Sequence, residues 1–171
     1  MERRIVICQG EFATSDRADT RISTVLGSCV SCCLWDPLSA VGGMNHILLA
    51  GNATTDNRSY LAGVNAMELL INDLLKIGAR RDRLKAKVFG GARMISGLSE
   101  IGQANAEFIV DFLESEGIEL VSRSLGGDAA RHLLFWPTTG VAKLKSQRNV
   151  VLAEAQELEK PAPAGNGLEL F

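Results

Sequence analysis

A chain of 171 residues with 46% apolar and 22% charged side chains has the size and composition of one soluble globular domain, able to bury a core without disulfide staples. Its formal net charge is −2 and it has no basic run, so no nucleic-acid partner is expected. No apolar stretch approaches the roughly 20 residues of a membrane helix and Met1–Ile5 lacks a signal-type segment, so a cytoplasmic location without membrane insertion is expected.

Arg4 to Gln9 is β-branched and is expected to form a first strand, followed by a polar connection from Gly10 to Asp19. Arg21–Leu26 and Val30–Trp35 are expected as extended segments with a bend at Gly27-Ser28-Cys29. Asp36-Pro37-Leu38-Ser39 is a turn, because proline presets φ for its corner. Val41–Leu49 returns as a strand, which makes a hairpin and brings its His46 end towards Cys29. A polar loop over Gly51–Asn57 leads to a helix capped by Ser59 and running to about Ile77, with Val64, Met67, Ile71 and Leu74 on one face and Gly78 as its stop. Leu84–Phe89 is a strand ending in the turn Gly90-Gly91-Ala92. A second helix over about Ile101–Ser115 buries Ala104, Phe108, Phe112 and Leu113, and Gly117 ends it. Ile118–Ser122, His132–Trp136 and Val141–Lys145 are further strands. These elements occupy residues 1–152, and residues 153–171 are expected to be a flexible tail: Pro161-Ala162-Pro163-Ala164-Gly165-Asn166-Gly167 suits neither helix nor ladder, and Leu168-Glu169-Leu170-Phe171 could be a short docking peptide.

The chemistry-bearing residues are few. Three of the four cysteines, Cys29, Cys32 and Cys33, crowd into five positions, a poor disulfide framework. Cys29, in Leu-Gly-Ser-Cys-Val, is the candidate nucleophile, and His46, in Gly-Gly-Met-Asn-His, the candidate base that takes the thiol proton. Cys29 lies eight residues before Pro37 and His46 nine after it, so a hairpin centred there pairs them almost opposite each other. Gly27 and Ser28 offer backbone N–H groups for an oxyanion, and Ser23 and Thr24 offer hydroxyls to orient the imidazole. Against this stand blander readings. Cys29 can be a small buried hydrophobe, and His132 competes as a base but stands beside an apolar strand without a glycine-rich setting. Cys29-Val30-Ser31-Cys32 matches a redox spacing, but residues three apart on a strand face opposite sides. Zinc lacks a second ligand pair. Gly90-Gly91 and Gly126-Gly127 lack the Lys-Ser/Thr of a phosphate loop and are expected as turns lining the pocket.

Taken in order, Leu-Gly-Ser-Cys-Val around Cys29, Asp36-Pro37, Gly42-Gly43-Met44-Asn45-His46, Gly90-Gly91-Ala92-Arg93-Met94, Ile101-Gly102-Gln103-Ala104-Asn105 and Gly126-Gly127-Asp128-Ala129-Ala130-Arg131 resemble the CheD family, the chemoreceptor glutamine deamidases. The resemblance spans about Arg4 to Lys145. It implies an α+β fold, a layered α/β sandwich with mixed sheets and two main helices, of the cysteine-hydrolase type similar to bacterial toxin deamidases. It assigns Cys29 as nucleophile and His46 as base, and it places the family's threonine, six residues before the cysteine, at Ser23, with Thr24 next to it. Gly27, Ser28, Thr24 and Asn45 are the expected oxyanion and pocket residues. The implied activity is conversion of receptor glutamine to glutamate through a thioester, with chemoreceptor cytoplasmic domains as substrate and no cofactor or metal. The alternative it implies is a binding module that engages receptors or a CheC-type phosphatase.

Overall fold

The computed structural model describes residues 1–49, 57–94, 99–147 and 168–171. The loop expected at Gly51–Asn57 lies almost wholly outside the described residues, as does the greater part of the tail.

Among the described residues, ten strands and two long helices make three layers. The strands are β1 (Arg3–Val6), β2 (Phe12–Ser15), β3 (Thr20–Leu26), β4 (Val30–Asp36), β5 (Val41–Asn45), β6 (Lys85–Gly90), β7 (Glu119–Leu125), β8 (Ala130–Trp136), β9 (Val141–Gln147) and β10 (Leu168–Leu170). The helices are α1 (Asn57–Lys76) and α2 (Ser99–Ser115). One sheet runs β1-β3-β8-β9-β10 and the other β2-β5-β4-β6-β7. Each is mixed: β1 is parallel to β3 and β6 to β7, and the remaining pairs are antiparallel.

The layering follows from which faces are apolar. On β4 every residue is buried, because one face meets the helices and the other meets the opposite sheet. Val30, Cys32 and Leu34 pack with Met67, Leu70, Ile71 and Leu74 of α1 and with Phe108, Ile109 and Leu113 of α2. Cys29, Cys33 and Trp35 point the other way and pack with Ile22, Leu26, Leu133 and Phe135 of the facing sheet. α1 begins two residues before Ser59, so Ser59 lies inside the first turn and does not cap it. The segment expected as a polar connection contains β2, whose edge pairing with β5 its sparse apolar content did not signal.

Asp36 fixes the β4–β5 corner. Its buried carboxylate accepts from the Leu38, Ser39 and Arg80 amides and from the Arg83 guanidinium at 2.8 Å. Burial pushes its pKa up, but Arg83 and these amides outweigh burial and hold the carboxyl well below the usual range.

Candidate active site

β3 and β5 belong to different sheets, and their ends meet in the layer between them. On β3 the side chains alternate, so Ile22, Thr24 and Leu26 face inward while Ser23 faces out. Thr24 Oγ1 lies 2.7 Å from His46 Nδ1 and donates to the Ile7 carbonyl at 2.8 Å. A threonine hydroxyl has a single proton. With that proton given to Ile7, Oγ1 is the acceptor towards His46, so Nδ1 carries the imidazole hydrogen and Nε2 presents the basic lone pair. The orienting hydroxyl is therefore Thr24's. The expected orienter, Ser23, is buried on the opposite side of the strand, where its Oγ accepts from Arg4 Nε at 3.0 Å. Strand periodicity separates the two neighbours, and a bend at Gly27 comes too late in the chain to exchange them.

Cys29 and His46 share a face. The hairpin register pairs Cys33 with Met44, and a bridge joins Val30 to Ile47, so Ser31 stands across from His46. Cys29 lies one pleat further along, two residues from the expected pairing. A two-residue offset keeps both side chains on the same surface, and such diagonal neighbours stand roughly 7–8 Å apart along the backbone, within reach of long side chains. Gly10 N donates to the His46 carbonyl and His46 N donates to the Glu11 carbonyl, which clamps the histidine's backbone.

The Cys29 loop is held from several sides. Gly91 N donates to the Cys29 carbonyl at 2.8 Å and Ala92 N to the Gly27 carbonyl at 2.9 Å. Gly90 adopts φ +111°, and a Cβ there would stand 2.1 Å from the Cys29 carbonyl oxygen, so only glycine allows this approach. Asn105, fully buried on α2, donates through Nδ2 to the Ser28 carbonyl at 2.8 Å and accepts through Oδ1 from the Leu49 amide at 3.0 Å. One side chain thus ties the cysteine loop to the segment after β5 that carries His46 and Leu49. The sequence reading missed it, although a polar residue on a helix face shared with Phe108, Ile109 and Phe112 was a usable signal.

Asn45 faces the helices, with Oδ1 accepting from the Cys32 amide and Nδ2 directed at the Met67 sulfur, so its side chain stands on the far side of β5 from that of His46. Cys32 and Cys29 point to opposite faces of β4, as the strand period requires, and burial raises the pKa of both Cys32 and Cys33. His132 stands on the outer face of its sheet, 3.3 Å from Arg4, away from the cysteine. Burial, then Arg4 and Lys145, lower its pKa.

A cavity of about 270 Å³ opens beside His46, lined by Gly10, Phe12, Leu48, Asn65 and Leu69 among others. Another, of about 490 Å³, lies beyond the Gly91 turn, lined by Arg93, Gln103, Glu107, Gly126 and Asp128. Cys29 itself is 0% exposed and His46 3%. Among the described residues no group of three or more His, Cys, Asp or Glu side chains is placed to hold a metal ion.

A two-sheet sandwich with helices on its outer face carries Cys29 and a hydrogen-bonded His46 on one inner face, a layered α+β fold. Residues 49–146 match the family model described as CheD chemotactic sensory transduction. The chain is 47% identical over 99% of its length to a Rhizobium meliloti protein, covering 96% of that protein, named "Probable chemoreceptor glutamine deamidase CheD". Proteins of the same name from Rhizobium leguminosarum bv. trifolii and Acidiphilium cryptum are each 48% identical over 99% of this chain, covering 96% and 94% of those proteins. The chain belongs to the CheD family. A solved structure from Neisseria meningitidis aligns with a TM-score of 0.46 and 9% identity over 74% of this chain and 63% of that one.

Proposed function

We propose that the chain is a protein-glutamine deamidase acting on the cytoplasmic domains of methyl-accepting chemoreceptors. Support comes from relatives of near-equal length that carry this name and from the oriented imidazole on the cysteine's face. The observation that carries the reading is the Ile7–Thr24–His46 relay, which leaves the His46 Nε2 lone pair as the base.

The reaction then runs in two halves. His46 Nε2 takes the Cys29 thiol proton, and the thiolate attacks the glutamine side-chain carbonyl. Backbone N–H groups of the Gly27-Ser28-Cys29 bend stabilise the tetrahedral oxyanion. His46 returns the proton to the departing nitrogen, ammonia leaves, and a glutamyl thioester remains on Cys29. Water, deprotonated by His46, then hydrolyses it to glutamate and restores the thiol. The imidazolium formed in each half is held in place by Thr24. Each turnover replaces a neutral amide on a receptor helix with a carboxylate.

Because Cys29 is fully buried, substrate entry requires a segment around the site to move. The two backbone bonds from the Gly91-Ala92 turn to the cysteine loop are the local restraint that such a motion would release. The same burial favours a second reading, a binding module that engages receptors or a CheC-type phosphatase without turnover. Incubation of purified receptor cytoplasmic fragments with the chain, read by mass spectrometry, separates the two. Glutamine-to-glutamate conversion that disappears in Cys29→Ala and His46→Ala supports the deamidase. Unchanged receptor with stable complex formation supports the binding module.

A further inference from the structure

Two glycine pairs meet behind the cysteine loop: Gly90-Gly91 at the end of β6 and Gly126-Gly127 after β7, all with positive φ. Backbone bonds stitch the turns together. Gly126 N donates to the Gly90 carbonyl at 2.9 Å, and Arg93 N to the Gly127 carbonyl at 2.8 Å. The first turn in its turn holds the cysteine loop, through the Gly91 and Ala92 amides. Glycine has the most backbone freedom to lose on folding, so such turns are pliable. A nucleophile that must stay in register with its base needs a firmer support than they provide, because a misplacement of about 1 Å can cost about 100-fold in rate.

Arg131 of β8 supplies that support from the facing sheet. It pairs with Leu26, the residue before the Gly27-Ser28-Cys29 bend. Its side chain crosses to the other sheet, where Nη2 donates to the Gly126 carbonyl at 2.7 Å, Nη1 to the Gly90 carbonyl at 3.3 Å and Nε to Ser124 Oγ at 3.2 Å. Nη1 also donates to the Ala129 carbonyl at 3.4 Å. One planar group thus grips one carbonyl in each glycine turn, a geometry that a guanidinium fork fits and a lysine ammonium does not. Arg131 is 7% exposed, and these bonds go to carbonyls and a hydroxyl. Burying a cation among neutral acceptors stabilises a fold less well than an apolar side chain of similar volume, so the guanidinium at this position serves geometry more than stability.

We propose, resting on the deamidase reading, that Arg131 is a positioning residue for the reaction: it locks the Gly90-Gly91 turn and, through the Gly91 and Ala92 amides, sets the Gly27-Ser28-Cys29 bend against His46. Arg131 lines neither the cavity beside His46 nor the one beyond the Gly91 turn. Its loss should therefore lower kcat and leave KM nearly unchanged.

The test uses the full-length chain, with ammonia release from receptor cytoplasmic fragment as the rate and amide exchange at Gly91 and Ala92 as a readout that needs no receptor. Arg131→Lys should lower kcat by about tenfold or more and Arg131→Ala by about 100-fold, with KM within about threefold of wild type. Exchange at both amides should be faster by about tenfold or more in each variant. Millimolar ethylguanidinium should raise the Arg131→Ala rate by about tenfold and leave Arg131→Lys unchanged. Should Arg131→Ala fail to fold, Ser124→Ala, which removes one acceptor and keeps the charge, should move kcat and exchange in the same direction by a smaller factor. Arg123→Ala, at an exposed arginine next to Ser124 on β7, should behave as wild type. Unchanged kcat in Arg131→Lys, a loss confined to KM, or unchanged exchange at Gly91 and Ala92 would each overturn the proposal. An inactive wild-type chain would overturn the deamidase reading and the catalytic role with it, while faster exchange in the variants would still support the brace.

Discussion

One hydroxyl proton decides which nitrogen of His46 is basic. Thr24 gives it to the Ile7 carbonyl and accepts from Nδ1, so the relay has a direction. Thr24→Val removes the acceptor while keeping the shape, and kcat on receptor fragments should fall by roughly 10-fold to 100-fold, less than the ~10²–10⁴ that losing the base costs. Thr24→Ser should restore most of it. Nitrogen NMR of the ring should report hydrogen on Nδ1 in wild type and a mixture of tautomers in Thr24→Val. Ser23→Ala should leave both the rate and the tautomer unchanged, because its hydroxyl bonds Arg4 on the other side of the sheet. Motif order pointed to a hydroxyl at this stretch of the chain. Only strand periodicity in three dimensions says which of two adjacent hydroxyls faces the imidazole.

At the scale of elements, the hairpin joining Cys29 to His46 depends on its corner. Asp36 there is held ionised by Arg83 and three amides despite its burial. A carboxyl whose folded pKa lies below its unfolded value of about 3.9 contributes stability in full above that pH, and the contribution is lost as pH falls towards the folded value. Asp36→Ala should therefore cost about 3 kcal/mol at neutral pH, and urea titrations at about pH 3 should show a smaller gap between variant and wild type. Asn105 joins the two halves of the site from α2. Asn105→Leu leaves the Ser28 carbonyl and the Leu49 amide without that partner, at a cost of about 1–3 kcal/mol each. Its kcat should drop more than its KM rises, since the cysteine loop would lose its register against His46. Most helices and strands were legible from periodicity, because apolar residues recur at three and four on α1 and α2 and run unbroken along β4. β2 and β10 were not legible as strands, because edge strands bury too little to carry an apolar signature. The two-residue shift in hairpin register came from the corner itself, where Ala40 adopts φ +52° and the turn extends beyond Pro37-Leu38.

For the molecule as a whole, the tension lies between the proposed nucleophile and its burial. Cys29 is sealed in the layer between two sheets, and Cys8 is the exposed thiol. Iodoacetamide should therefore label Cys8 first in the resting protein, and receptor fragment should accelerate labelling of Cys29, since binding must open the site for chemistry to occur. Cys32 and Cys33, whose thiols burial keeps protonated, should stay unlabelled until the protein unfolds. The proposed mechanism requires that Cys29 carry the receptor's glutamyl group during turnover. Acid quenching during turnover with receptor fragment, followed by peptide mapping, tests it most directly. The predicted result is a thioester linking Cys29 to the receptor glutamine position, enriched when deacylation is slowed and missing in Cys29→Ala. An adduct on Cys8 instead, or glutamate formed at the wild-type rate by Cys29→Ala, would contradict it.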